Sequence, residues 1–172
     1  GELAPGATVM SWRGTEGAIQ TAAEGFDAIL TPTSHCYFDY CQAEDPSTDP
    51  LSIGGYVPLE KVYSMDPLEG IDPAGAHHIL GVQANLWTEY ISTPLQLEYM
   101  LLPRMCAESE VAWCDSTRKD FTRFNESLDH AFRMFDVMGY NYCLDIRCLI
   151  GLDRIPARTS EQLEDYLTNG KK

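Results

Sequence analysis

The segment HILGVQANLWTEYIS, residues 78–92, begins with an apolar run and continues into a stretch that carries a large aromatic ring and a carboxylate. The apolar run predicts a buried strand over residues 78–87. Trp87 and Glu89 lie at its carboxyl end, and an apolar helical pattern from Thr93 to Ala112 follows. A buried strand followed by a helix is the repeating unit of a parallel α/β sheet, so we expect the same alternation elsewhere in the chain.

Two further strands are predicted upstream. Residues 7–12 and 26–31 are short apolar runs bounded by glycine or proline, and a short helix over residues 15–25 separates them. The connection over residues 32–77 is far longer than the roughly 2–6 residues of most βα loops. It is rich in tyrosine, which is not typical of a disordered linker. We therefore predict that it forms an ordered wall of a site, with a short helix over residues 58–64.

The C-terminal third is predicted to be helical. Residues 117–138 carry apolar side chains at three- and four-residue steps, which predicts a core-packing helix that ends at Gly139. Thr159 and Gln162 have the spacing of a capping box and predict a last helix that ends at Gly170. The fold class is therefore α/β, with additional C-terminal helices.

Composition limits the possible partners. The net charge of −14 disfavours nucleic acid and anionic membranes, because both bind cationic surfaces. No stretch approaches the ~20 apolar residues of a transmembrane helix. Residues 1–12 have no signal-peptide pattern, so the compartment stays open. The six cysteines lack zinc-ligand spacing. We predict neither a metal nor a cofactor, and we leave disulfides open.

All three predicted strands end in residues suited to a ligand. Trp12 ends the first, Tyr37 and Asp39 follow the second, and Trp87 and Glu89 follow the third. Parallel α/β folds bind ligands at the carboxyl ends of their strands. Aromatic faces pack against sugar rings and carboxylates accept hydrogen bonds from hydroxyl groups, so the pattern favours a carbohydrate site. The alternative is a purely structural domain whose aromatic rings are all core.

Four segments extend this pattern into a resemblance to a known family. They are VMSWRG (9–14), SHCYFDY (34–40), GVQANLWTEY (81–90) and LEYMLLPRMCAESEVAW (97–113). In this order they resemble the second half of the family 20 β-N-acetylhexosaminidase barrel. The resemblance implies that residues 1–142 are the C-terminal portion of a TIM (β/α)8 barrel, about the last three βα units, strands 6–8. Residues 143–172 are then an unassigned tail.

The resemblance also implies roles for the candidate residues. Trp12 and Trp87 are similar to the walls of the pocket around the substrate's N-acetyl group, and Tyr37 to the tyrosine that hydrogen-bonds the acetamido oxygen. Asp39 and Glu89 are similar to the carboxylates that hold hydroxyl groups of the terminal sugar, with Glu89 at C4 and C6. Three further matching residues are expected to be structural: Arg104, Glu110 and Trp113.

The implied activity is hydrolysis of terminal N-acetylglucosamine or N-acetylgalactosamine by substrate-assisted retaining catalysis, a known exception to the two-carboxylate scheme. The sequence departs from the family in lacking the His-x-Gly-Gly-Asp-Glu motif that carries the acid pair. Ile53 also appears where many relatives have a tryptophan, and we expect Tyr56 or Tyr63 to compensate. The isolated chain is therefore expected to be incomplete and inactive.

A non-catalytic carbohydrate-binding domain derived from the same fold is the alternative function. A partial barrel has exposed sheet edges, so we expect self-association or association with the missing N-terminal half. The resemblance favours a periplasmic or secreted location.

Overall fold

The computed structural model describes residues 3–143, so the predicted last helix lies outside the described residues. A three-stranded parallel sheet forms from β1 (Thr8–Ser11), β2 (Asp27–Leu30) and β3 (Ile79–Val82), in the order β1-β2-β3. Its strands are joined by helix and loop crossovers, which confirms the predicted α/β alternation.

Helices pack around this sheet and beyond its carboxyl edge. They are α1 (Glu16–Ala23), α2 (Thr33–Cys36), α3 (Leu59–Ser64), α4 (Pro94–Leu101), α5 (Arg104–Trp113) and α6 (Phe121–Met138). Short 3-10 turns occur at Pro46–Thr48, Ala76–His78 and Ser116–Arg118. The helix predicted over residues 58–64 is confirmed as α3.

The third strand is shorter than the predicted 78–87. Its last ladder contact is the Gln83 N–H donating to the Leu30 carbonyl at 2.9 Å. After β2, the one-turn helix α2 leads the polypeptide away from the sheet. β3 therefore has no adjacent strand residues with which to continue pairing. Pairing resumes at Asn85, which forms an isolated parallel bridge with Tyr37.

The helix predicted from Thr93 to Ala112 is two helices. Pro103 follows α4, and Leu102 is extended with φ −102° and ψ 136°. A proline lacks the N–H of the helical ladder and pushes the preceding residue out of the helical region, so the chain breaks here and restarts at Arg104.

The apolar stripe predicted for the long helix is confirmed as core. α6 begins at Phe121, after the predicted residue 117, because the Asp120 carboxylate caps the N–H groups of Thr122 and Arg123 at 2.9 and 3.2 Å. It ends at Gly139, whose φ of 75° is the left-handed stop expected of glycine. Its buried stripe is Phe124, Leu128, Phe132 and Phe135.

The long connection is folded, as predicted. Phe38, Val57, Leu59 and Val62 are buried in the same cluster as the α6 stripe. Burial of large apolar side chains from both segments holds the connection against α6 by the hydrophobic effect. The segment that follows β2 therefore has a defined position.

Candidate functional site

The carboxyl ends of the three strands meet at one edge of the sheet. Ser11, Leu30 and Val82 are in register as the last residues of their strands. Beyond them, the Thr33 N–H donates to the Trp12 carbonyl at 2.8 Å. The predicted site residues that follow each strand therefore start from the same edge.

Tyr37 is held beside the continuation of β3. The Asn85 N–H donates to the Cys36 carbonyl and the Phe38 N–H donates to the Asn85 carbonyl, both at 2.7 Å. The Tyr37 side chain is half-buried, and its ring centroid lies 5.8 Å from that of Tyr40. Tyr37 thus has a fixed backbone and a partly accessible phenol.

Asp39 is a buried carboxylate whose Oδ1 atom has no hydrogen-bond partner among the described residues. Burial raises the pKa of Asp39, and the nearby Glu89 carboxylate raises it further. The backbone N–H groups of Asp39 and Trp87 and the Arg104 guanidinium act in the opposite direction. These interactions place Asp39 beside the Trp87–Glu89 segment, so the structure brings together residues from two separate loops.

The two candidate tryptophans are exposed. Trp12 is 47% exposed and Trp87 is 54% exposed, which argues against the alternative that the aromatic rings are all core. The Arg13 guanidinium lies 4.8 Å from the Trp12 ring centroid. Glu89 is exposed as well. Exposed indole rings on the segments that follow β1 and β3 suit a polar ring ligand such as a sugar.

Arg104 is a structural residue, in agreement with the prediction. It is 0% exposed, and its guanidinium donates to the carbonyls of Phe38, Tyr40, Val57 and Met100. Burial lowers the pKa of Arg104 to about 10, so the side chain stays charged at neutral pH. Its contacts join α5 to the long connection directly under the candidate site.

The other two residues expected to be structural differ from each other. Glu110 lies 3.6 Å from Arg123, so it joins α5 to α6. Trp113 is 91% exposed, and a packing role for its ring is not seen within residues 3–143.

The expectation that Tyr56 or Tyr63 compensates for Ile53 is wrong for Tyr63. Its ring is buried and stacks on Phe124 at 4.7 Å, and its hydroxyl accepts from the Asp120 N–H. These contacts commit Tyr63 to the core. Ile53 and Tyr56 are both exposed, so Tyr56 stays a candidate.

Two residues at the site were missed from the sequence. Asn85 Nδ2 donates to Thr31 Oγ1 at 2.5 Å, which joins the ends of β2 and β3. Gln96 Nε2 donates to the carbonyls of Leu51 and Tyr90 at 2.9 and 2.8 Å, which joins the long connection to the loop after β3. Neither role is visible in a sequence pattern, because the Asn85–Thr31 and Gln96–Leu51 contacts span 54 and 45 residues.

Within the described part of the chain, no group of three or more His, Cys, Asp or Glu side chains is placed to hold a metal ion. Cys36, Cys41, Cys106 and Cys114 are free thiols. No helix within residues 3–143 is both long and apolar enough to cross a membrane. The side chains that form the candidate site are aromatic rings, a phenol and two carboxylates.

Comparison with known proteins places the chain in a family. Residues 1–116 match the glycosyl hydrolase family 20 catalytic domain. The chain is 46% identical over 144 residues to a β-hexosaminidase of Porphyromonas gingivalis, covering 83% of this chain and 18% of that protein. It is 30% identical to a β-hexosaminidase of Akkermansia muciniphila, covering 82% of this chain and 29% of that protein.

Solved structures agree with the sequence matches. A Vibrio harveyi exo-β-N-acetylglucosaminidase bound to N-acetylglucosamine has a TM-score of 0.70 at 32% identity, covering 78% of this chain and 21% of that one. A Streptomyces plicatus N-acetyl-β-hexosaminidase bound to thio-NAglucal has a TM-score of 0.71 at 30% identity, covering 82% and 30%. The chain thus spans less than a third of the length of these relatives, and within that span it belongs to glycosyl hydrolase family 20.

Proposed function

We propose that this chain supplies the sugar-holding side of a β-N-acetylhexosaminidase active site. The observation that supports this most strongly is the pairing of residues 36–38 with Asn85, which sets Tyr37 and Asp39 beside the Trp87–Glu89 segment. The names of the relatives support the substrate class, a terminal N-acetylhexosamine.

The proposed reaction is substrate-assisted and retaining. The acetamido carbonyl oxygen of the substrate attacks the anomeric carbon as the glycosidic C–O bond breaks, and the leaving oxygen takes a proton from a general acid. Water then opens the oxazolinium intermediate, with the same acid now acting as base. In this scheme Tyr37 donates a hydrogen bond to the acetamido oxygen and holds the internal nucleophile in place.

The remaining site residues bind and orient the sugar. Trp12 and Trp87 enclose the N-acetyl group, and their exposed rings leave those faces available. Asp39 and Glu89 accept hydrogen bonds from sugar hydroxyl groups. The partnerless Oδ1 of Asp39 is consistent with this, because a buried carboxylate oxygen needs a donor and a sugar hydroxyl provides one.

The acid pair is proposed to come from outside this chain. The 172 residues contain no His-x-Gly-Gly-Asp-Glu motif, and the chain corresponds to strands 6–8 of a barrel in this proposal. β1 and β3 are the outer strands of the three-stranded sheet. Met10 on β1 and Leu80 on β3 are exposed, so apolar side chains on the faces of the sheet are left uncovered as well. We therefore propose association with a polypeptide that carries the rest of the barrel, or with a second copy.

The experiment that tests this proposal uses a chimera. Residues 7–142 replace the matching segment of the Porphyromonas gingivalis relative, which supplies the rest of the protein. A chromogenic N-acetylglucosaminide should be hydrolysed by the chimera and left intact by the isolated 172-residue chain. Robust turnover by the isolated chain contradicts the proposed location of the acid pair.

The alternative function is a carbohydrate-binding module without catalysis. It is supported by the exposure of both candidate tryptophans in this chain alone. Calorimetry of the 172-residue chain with N-acetylglucosamine, and with a thiazoline mimic of the intermediate, separates the two. Binding by the isolated chain favours the module, and binding only in the chimera favours the enzyme.

A further inference from the structure

We propose that Arg104 is a positioning residue that fixes Asp39 in the site through hydrogen bonds to the two residues that flank it. The structural part of this inference is independent of the sugar chemistry, and only the purpose of the fixed Asp39 rests on the proposed function. Arg104 lies on α5 and Asp39 on the long connection, so a helix that follows β3 is linked to the site.

The geometry is a clamp on both sides of Asp39. Arg104 Nη2 donates to the Phe38 carbonyl at 2.5 Å and Nη1 donates to the Tyr40 carbonyl at 3.0 Å. These carbonyls belong to the residues that flank Asp39. The two bonds come from one planar, rigid guanidinium, so together they fix the position of the Asp39 backbone.

The remaining contacts anchor the clamp itself. Nη1 also donates to the Val57 carbonyl at 3.0 Å, while Nη2 and Nε donate to the Met100 carbonyl at 2.6 and 3.2 Å. The guanidinium carbon lies 4.8 Å from the centroid of the Phe38 ring. The five hydrogen bonds equal the five N–H donors of arginine, so a lysine with three donors cannot replace this arrangement.

The charge of Arg104 matters as well as its shape. None of the ion pairs found within residues 3–143 includes Arg104, although the side chain is fully buried. Its positive charge acts on Asp39 and opposes the repulsion from Glu89. A buried carboxylate next to a second carboxylate is electrostatically unfavourable, and a nearby fixed cation offsets that cost.

The test is an NMR titration of the Asp39 side-chain carboxyl carbon in the 172-residue chain. Removing the charge with Arg104→Gln should raise the pKa of Asp39, because the stabilising cation is lost. Arg104→Lys keeps the charge and loses donors, so the pKa should stay nearer to that of the unaltered chain, while the amide signals of residues 37–40 move. Arg133→Gln, on the exposed face of α6, is the matched control and should change neither.

If Arg104 only filled space in the core, its replacement would leave the pKa of Asp39 unchanged. Folded Arg104→Gln protein with an unchanged Asp39 pKa overturns the proposal. If the Arg104 variants do not fold, the unaltered chain still provides a test, because the side-chain nitrogen signals of Arg104 should shift with the titration midpoint of Asp39. That shift should disappear in Asp39→Asn, and its absence from the unaltered chain overturns the proposal. Failure of the chimera to hydrolyse sugar leaves these outcomes unaffected.

Discussion

Asn85 brackets Tyr37 from both sides. Its N–H donates to the carbonyl of the preceding residue, Cys36, and its carbonyl accepts from the N–H of the following residue, Phe38. The Asn85 side chain donates to the hydroxyl of Thr31, which is buried at the end of β2. The position of the phenol in the site therefore depends on the end of β3 and on its link to β2.

Removing this link should destabilise the fold. Asn85→Ala leaves the buried Thr31 hydroxyl without its donor, and we expect a loss of about 1–2 kcal/mol in the free energy of unfolding. Urea denaturation of the 172-residue chain measures it. Gln20→Ala, which removes an exposed amide on α1, is the control. Equal stability of the two variants would show that the Asn85 contact contributes nothing.

The phenol of Tyr37 should matter for the chemical step. In the chimera, Tyr37→Phe removes the donor that holds the acetamido oxygen in place, and we expect kcat to fall by roughly 10²-fold because the internal nucleophile is no longer oriented. Steady-state kinetics with a chromogenic N-acetylglucosaminide measures this. Tyr140→Phe, an exposed tyrosine after α6, should keep full activity. A Tyr37→Phe chimera with unchanged kcat rules out the assigned role.

Glu89 is expected to be a hydroxyl anchor with no role as a proton donor. In the chimera, Glu89→Gln should raise KM for the sugar substrate because a charge-assisted hydrogen bond is lost. The acid and base limbs of the pH–rate profile should keep their midpoints, since the proton donor lies elsewhere. A shift of either limb in Glu89→Gln would assign Glu89 to acid–base chemistry and contradict this role.

Glu108 makes the stability of the chain depend on pH. Both of its carboxylate oxygens are buried without a hydrogen-bond partner among the described residues, and burial raises the pKa of Glu108 from 4.5 to about 7. The folded state therefore holds this proton more tightly than the unfolded state. Its stabilising contribution is complete below pH 4.5 and is lost as the pH rises to about 7.

A neutral side chain at this position should remove that dependence. Glu108→Gln should make the chain more stable at pH 8, by about 3 kcal/mol, and should flatten the fall in stability between pH 4.5 and 7. Thermal or urea unfolding across this range measures both effects. Glu126→Gln, exposed on α6, is the matched control. If Glu108→Gln keeps the same pH slope as the unaltered chain, another group is responsible.

The regular elements could be predicted because each has a local signal. The apolar runs of β1 and β2, the stripe of α6 and its stop at Gly139 all depend on residues close together in sequence. The break between α4 and α5 also had a local signal, Pro103, but the prediction of a single helix did not take it into account. The end of β3 had no local sequence signal, because it depends on α2, which lies on a different segment of the chain.

The meeting of the candidate residues at one edge of the sheet could be predicted, but the contacts that hold them there could not. Tyr37, Asp39, Trp87 and Glu89 follow strands whose carboxyl ends must meet in a parallel sheet. The carbonyls held by Arg104 belong to residues up to 66 positions away, and those held by Gln96 up to 45. Contacts at such separation depend on the folded chain, so sequence reasoning predicted a structural role for Arg104 without its partners and missed Gln96.

The proposed function is tested most sharply by the rate at which the chimera hydrolyses a chromogenic N-acetylglucosaminide. We expect turnover comparable to that of the Porphyromonas gingivalis parent, because residues 7–142 would supply a complete sugar-holding side. A folded chimera with an intact acid pair and no turnover would contradict the claim that this chain forms that side of the active site.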